Sequence, residues 1–202
     1  MEKVEHYIIR QVTMALLPGD TADGSLKTYI LEENQILWCE QSPRDILCDS
    51  CMYYGSSYMG RKQSAVMMGY KSMPPICVCS DLDIYFFPLM SETHRECIWI
   101  SHDHVIEGQI RGKEDTYALM TNEQIVPLPV HYQIFRRKMT RTTDYRYKMS
   151  KRLEKNRHSE LAMIREPGEH LIVRFNAQGT YSIEETDYQR EKRNYKSDFA
   201  RE

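Results

Sequence analysis

Residues 131–157 read HYQIFRRKMTRTTDYRYKMSKRLEKNR. Tyr132, Phe135 and Met139 recur at helical spacing, and Tyr145, Met149 and Leu153 do so again, with cations on the remaining faces. Thr142 or Thr143 is placed to cap a second start, so the spacing predicts two amphipathic helices in series. The segments before this stretch read mostly as strands. Runs of strands followed by packed helices, without strict β-α alternation, give an α+β domain with a mixed or antiparallel sheet. A nucleotide-binding α/β fold is disfavoured for the same reason.

Upstream, residues 6–17 are extended and rich in Ile, Val and Thr, and residues 18–25 form a turn-rich loop with two glycines. Residues 26–31 and 35–40 suit a strand pair joined at Glu33-Asn34. Ser42-Pro43-Arg44-Asp45 is a helix start, with a capping hydroxyl, a proline at the first position and an acid near the positive end of the dipole. Gly55 is the expected stop, followed by a small-residue loop over residues 55–62. Residues 76–79, 84–87 and 97–106 read as strands, and residues 117–120 and 124–128 as a hairpin around Thr121-Asn122-Glu123. Downstream, Pro167-Gly168 marks a boundary. A small hairpin is expected from residues 170–175 and 180–184, then a polar, frayed end over 187–202. This divides the chain into a domain over residues 1–157 and an appendage over 158–202.

The net charge of −2 over 202 residues hides an asymmetry. Residues 136–157 hold Arg136, Arg137, Lys138, Arg141, Arg146, Lys148, Lys151, Arg152, Lys155 and Arg157 against only Asp144 and Glu154, a net of +8. The rest of the chain carries 17 basic and 27 acidic residues, a net of −10. A concentrated positive surface on an acidic body suits a polyanion, and double-stranded DNA or RNA fits it best. The apolar stripe is narrow, which disfavours a membrane surface. The loop over residues 55–62 offers glycines for close approach and ends in Arg61 and Lys62. By composition it suits a groove-entering loop and a helix cap with two solvated cations equally; Arg61 and Lys62 are expected to work at the groove, while the cations of residues 136–157 hold phosphates.

No secretory signal or membrane span is evident, so the protein is expected in the cytoplasm with its six cysteines reduced. Cys48, Cys51, Cys77 and Cys79 are the candidate ligands for a structural zinc, which would make the protein a zinc-stabilised RNA or DNA binder. Cys77 and Cys79 would share one face of a strand. The helical setting of Cys48 and Cys51 lacks a knuckle turn, so no cofactor is expected. Asp81 and Asp83 could hold a hard cation in a nuclease, but a turn at a strand end is the preferred reading. Walker, GxGxxG, HExxH and nucleophile-elbow motifs are missing, and no enzyme is expected.

Several motifs in series carry a resemblance. They are Tyr53-Tyr54-Gly55-Ser56-Ser57-Tyr58-Met59-Gly60-Arg61-Lys62, Pro74-Pro75-Ile76, Phe86-Phe87-Pro88, Trp99-Ile100-Ser101-His102 with His104-Val105, and Pro127-Leu128-Pro129. In order and spacing, from about Cys51 to Phe135, the chain resembles the ComK family of competence transcription factors from low-GC Gram-positive bacteria. The resemblance implies a cytoplasmic transcriptional activator. It would bind AT-rich boxes of DNA-uptake promoters chiefly through the minor groove, as dimers pairing into tetramers. It also implies control by an adaptor that delivers the protein to a Clp protease. From His158 onward the chain leaves the family's pattern, and Leu161-Ala162-Met163-Ile164 is the nearest counterpart to the adaptor-binding segment. A paralogue acting only through protein contacts is the remaining alternative.

Overall fold

The computed structural model describes residues 1–21, 24–111, 115–162, 169–175 and 179–187. The chain divides into two units, Met1–Ser150 and Lys151–Glu202. The first is built on a seven-stranded sheet in the order β1 (Glu2–Lys3), β4 (Ile36–Cys39), β3 (Leu26–Glu32), β2 (Thr13–Asp20), β7 (Trp99–Ser101), β6 (Ile84–Pro88) and β5 (Ile76–Cys79). All neighbours are antiparallel except β1 beside β4. The expected α+β class with a mixed sheet therefore holds.

Both faces of this sheet are covered, which is why β5 and β6 are buried at every position instead of alternating. Phe86, Leu16 and Ile30 turn to one side, into a cluster with Ile46, Leu47, Cys51 and Trp99. Phe87, Ala15 and Leu31 turn to the other, into a cluster with Ala118, Met120, Val126, Leu128 and Phe135. Each Leu, Ile, Val, Met or Phe among them contributes about 1.5–3 kcal/mol by leaving water.

The first cluster is closed by α1 (Pro43–Tyr53). Ser42 caps it, its hydroxyl accepting from Asp45 N at 3.1 Å, as the sequence predicts. Gly55, at φ 75°, ends the chain's turn out of α1. The segment beyond it is a helix and not the expected loop: α2 (Tyr58–Met67) is capped by Ser57, whose hydroxyl accepts from Gly60 N at 3.0 Å. Arg61 and Lys62 therefore belong to a rigid element.

The second cluster lies under a three-stranded antiparallel sheet, ordered β10 (Ile125–Leu128), β9 (Asp115–Met120), β8 (Val105–Arg111). The single strand expected over residues 97–106 is split between the two sheets. The turn at residues 102–104 makes the switch and is pinned by His104, whose Nε2 lies 2.6 Å from Gln11 O and Nδ1 3.0 Å from Thr121 Oγ1.

The expected helix pair is one helix, α3 (Tyr132–Ala162), with no Gly or Pro to break it. Thr142 and Thr143 do not cap. Their hydroxyls donate back to Lys138 O at 2.8 Å and Met139 O at 3.1 Å, the bond a mid-helix threonine makes. Phe135 enters the second cluster, and its close approach requires Gly108, where an added Cβ would lie 2.7 Å from the Phe135 ring. Tyr145 and Met149 join Tyr70, Cys77, Tyr85 and Ala65 in a third cluster, with Tyr145 edge-on to Tyr70 and Tyr85. Leu153, read as the next member of the stripe, is exposed.

In the second unit, β11 (Glu169–Phe175) and β12 (Tyr181–Asp187) pair antiparallel, as the hairpin reading expects, with Val173 opposite Ile183. Pro167-Gly168, residues 176–178 of the turn expected over 176–179, and the expected frayed end after 187 lie outside the described residues.

Candidate nucleic-acid interface

α3 carries the ten cations of residues 136–157, but the fold sorts them into two groups. Lys138, Arg141 and Arg146 turn toward the protein. Lys138 is only 5% exposed, with Nζ 3.5 Å from Met73 Sδ. Burial pushes its ammonium down to about 8, and the charge of Arg141 acts in the same direction. Arg141 donates to Ser72 O at 2.9 Å and lies over the Tyr70 ring.

Arg146, 20% exposed, lies at the centre of a polar cluster. It donates to His102 Nδ1 at 2.7 Å and to Asp103 Oδ1 at 3.1 Å, and pairs with Asp83. Its guanidinium lies over the ring of Tyr85. His102 Nε2 meets Thr143 Oγ1 at 2.8 Å. Because the Thr143 hydroxyl proton goes to Met139 O, His102 Nε2 donates and Nδ1 accepts, which defines the neutral imidazole. Burial, then the charge of Arg146, pushes His102 down to about 4.

The outward group is different. Arg136 and Arg137 are exposed and make no ion pair among the described residues. Lys148 is exposed beside Asp144 at 2.7 Å, and Tyr147 stands exposed between it and Arg146. On the part of α3 in the second unit, Arg152 and Lys155 are exposed, and Lys151 is exposed with Glu154 at 2.8 Å. Exposed pairs of this kind are worth about 0–1 kcal/mol, so a phosphate can displace the carboxylate. The side chain of Arg157 lies outside the described residues.

Arg61 and Lys62 are both half-buried on α2. Lys62 pairs with Glu92, which also accepts from Tyr58. Burial opposes ionisation of Glu92, but the bonds from Lys62 and Tyr58 outweigh it and hold the carboxyl below its usual value. The Arg61 guanidinium reaches to 4.0 Å from Cys77 Sγ, and its Nε is buried without a hydrogen-bond partner.

The four candidate zinc ligands do not converge. Cys48 and Cys51 lie on α1, and burial pushes the Cys51 thiol up to about 12. A bulge between Cys77 and Cys79 places Cys77 in the third cluster and Cys79 in the first, so the expected shared face is lost. Among the described residues, no three His, Cys, Asp or Glu side chains are grouped to hold a metal ion. Asp81 and Asp83 lie in the turn between β5 and β6, and Asp83 is taken by Arg146. No helix among the described residues is long and apolar enough to cross a membrane.

The sequence reading missed His102, Asp83 and Asp103 as the partners of Arg146, Thr143 as the partner of His102, and Gly108 as the seat of α3. Only Tyr147, an aromatic between two cations, carried a local signal of its exposed place.

A family model described as "ComK protein" matches residues 4–154. The chain is also similar to the "Competence transcription factor" of Bacillus subtilis (strain 168). Identity is 34% over 152 residues, 75% of this chain and 79% of that protein. No solved structure gives a significant match.

Proposed function

This chain belongs to the ComK family, and from that premise we propose that it is a DNA-binding transcriptional activator of competence genes. The observation that carries the reading is the set of exposed cations on α3, Arg136, Arg137 and Lys148 in the first unit and Lys151, Arg152 and Lys155 in the second. Arg136, Arg137 and Lys148, with Lys151, Arg152, Lys155 and Arg157 further along, hold backbone phosphates and release counterions. Lys138, Arg141 and Arg146 act by fixing the helix. Selection of AT-rich boxes comes from minor-groove width and deformability, which favour an inserted arginine and need no unique base-edge contacts. The same reading makes the protein cytoplasmic, non-enzymatic and active as a dimer or tetramer on DNA, with residues 1–157 as its DNA-binding domain. Control by an adaptor of a Clp protease belongs to it too, with Leu161, Ala162, Met163 and Ile164 as the segment to examine. The groove role expected for Arg61 and Lys62 is not part of this reading, because Arg61 is directed at Cys77 and Lys62 is paired with Glu92.

The test is a gel shift with AT-rich and GC-rich duplexes of equal length, across box spacings and at two salt concentrations. The proposal expects tighter binding to the AT-rich duplex and a steep loss of affinity with salt. Equal binding to both, or none at low salt, sinks it and favours a paralogue acting through protein contacts.

A further inference from the structure

Among the described residues, four strand edges bound the two sheets of the first unit, and three are guarded. β1 is two residues long and carries Lys3. β5 is packed by α2. β10 contains Pro127. Short length, lysine, proline and helical cover all oppose edge-to-edge association. β8 is seven residues long, has neither Pro nor Lys, and among the described residues pairs only with β9. Ile106 and Ile110 on it are 58% and 63% exposed. A bulge at Ile106 bends the start of the strand, while residues 107–111 keep regular register with β9.

The order of residues along this edge is the second observation. Ile106-Glu107-Gly108-Gln109-Ile110 is symmetric about its glycine in size and polarity. An antiparallel copy laid beside it about a two-fold axis at Gly108 sets Ile106 against Ile110. It also sets Glu107 against Gln109, an acceptor against a donor with no like charges opposed. We propose that β8 is an interface on which a second copy of this chain pairs antiparallel, centred on Gly108.

The axis would have a consequence for α3. Gly108 is backed by Phe135 and Tyr132 of the first turn of that helix. Pairing at Gly108 therefore brings the first turns of both α3 helices to the axis, with Arg136 and Arg137 of each copy beside it. Two basic helices related by a dyad suit a duplex site with two like halves. This last step rests on the reading of α3 as the DNA-binding element; the pairing of β8 does not.

The test uses two single variants of the full chain, Glu107→Cys and Gln109→Cys, at exposed positions. Under mild oxidation a disulfide-linked dimer should form when the two are mixed and be absent with either alone or with wild type. Linking by Glu107→Cys alone to the same extent, or no linking in the mixture, overturns the register. Sedimentation adds a second readout: wild type should sediment as a dimer, and Ile106→Asn with Ile110→Asn should reduce it to a monomer. A wild type that is monomeric yet binds duplex would overturn the interface and leave the DNA reading standing. A linked dimer that binds no duplex at low salt would do the reverse.

Discussion

Arg146 donates to Nδ1 of His102 at 2.7 Å, so a cation that charge counting assigns to DNA ties α3 to the turn after β7. Its removal leaves Asp83, Asp103 and the imidazole without their shared donor. Arg146→Ala should cost about 2–3 kcal/mol in urea unfolding, below the full cost of a buried pair because the site is partly open. Arg146→Lys should recover less than half, since an ammonium lacks the fork that reaches all three partners.

The same pair sets a pH dependence. His102 titrates near 4 in the folded protein and near its usual 6.5 when unfolded. Between these values the unfolded chain binds a proton that the folded chain refuses. Stability is thus unaffected above about pH 6.5 and falls as pH drops toward 4, by up to about 3 kcal/mol from this residue. The difference in urea midpoint between wild type and His102→Gln should shift across that window and stay flat above it.

Phosphate-holding cations should reveal themselves in salt dependence. Replacing Lys151 and Lys155 by Ala should weaken binding to every duplex and reduce the slope of log K against log salt by about 1.8. Arg136→Ala and Arg137→Ala should each remove about 0.9, with unfolding midpoints unchanged. Lys138→Ala should do the opposite: a lower midpoint and an unaltered slope.

Much of the fold was legible because its signals are local. Ser42-Pro43 announces α1, and short apolar runs bounded by turns announce β3 to β6 and the β9–β10 hairpin. What was hidden depends on distant partners. A threonine hydroxyl caps a helix or bonds back into it according to what surrounds it, and nothing near Thr142 in sequence says that it is buried. α2 buries only Tyr58 and Ala65, too few to make a stripe. The count of cations on residues 136–157 was plain, but their directions were not, because Asp83, Asp103 and His102 lie 63, 43 and 44 residues upstream of Arg146.

Gly108 is occupied in effect by the Phe135 ring. Gly108→Ala should destabilise by about 1–3 kcal/mol, the usual cost of overpacking. Phe135→Leu in the same chain should return part of it, measurable as non-additivity in a double-mutant cycle.

Arg61 has a charge directed at Cys77 and a buried Nε without a partner. Arg61→Ala should change the unfolding midpoint while the ratio of affinities for AT-rich and GC-rich duplexes stays within about twofold, well under the 1.4 kcal/mol that a tenfold change represents. A collapse of that ratio with unchanged stability would return Arg61 to the groove.

The burial of Lys138 has a bearing on how this chain compares with its relatives. A position that packs on Met73 and titrates near 8 is under the constraints of an interior site. Across related chains its residue type should covary with positions 73 and 141, and be indifferent to changes in the promoters bound. Arg136 and Arg137, two and one places earlier, should drift with the promoters instead. Neighbours on one helix turn would then record two separate histories, one of the fold and one of the genome it reads.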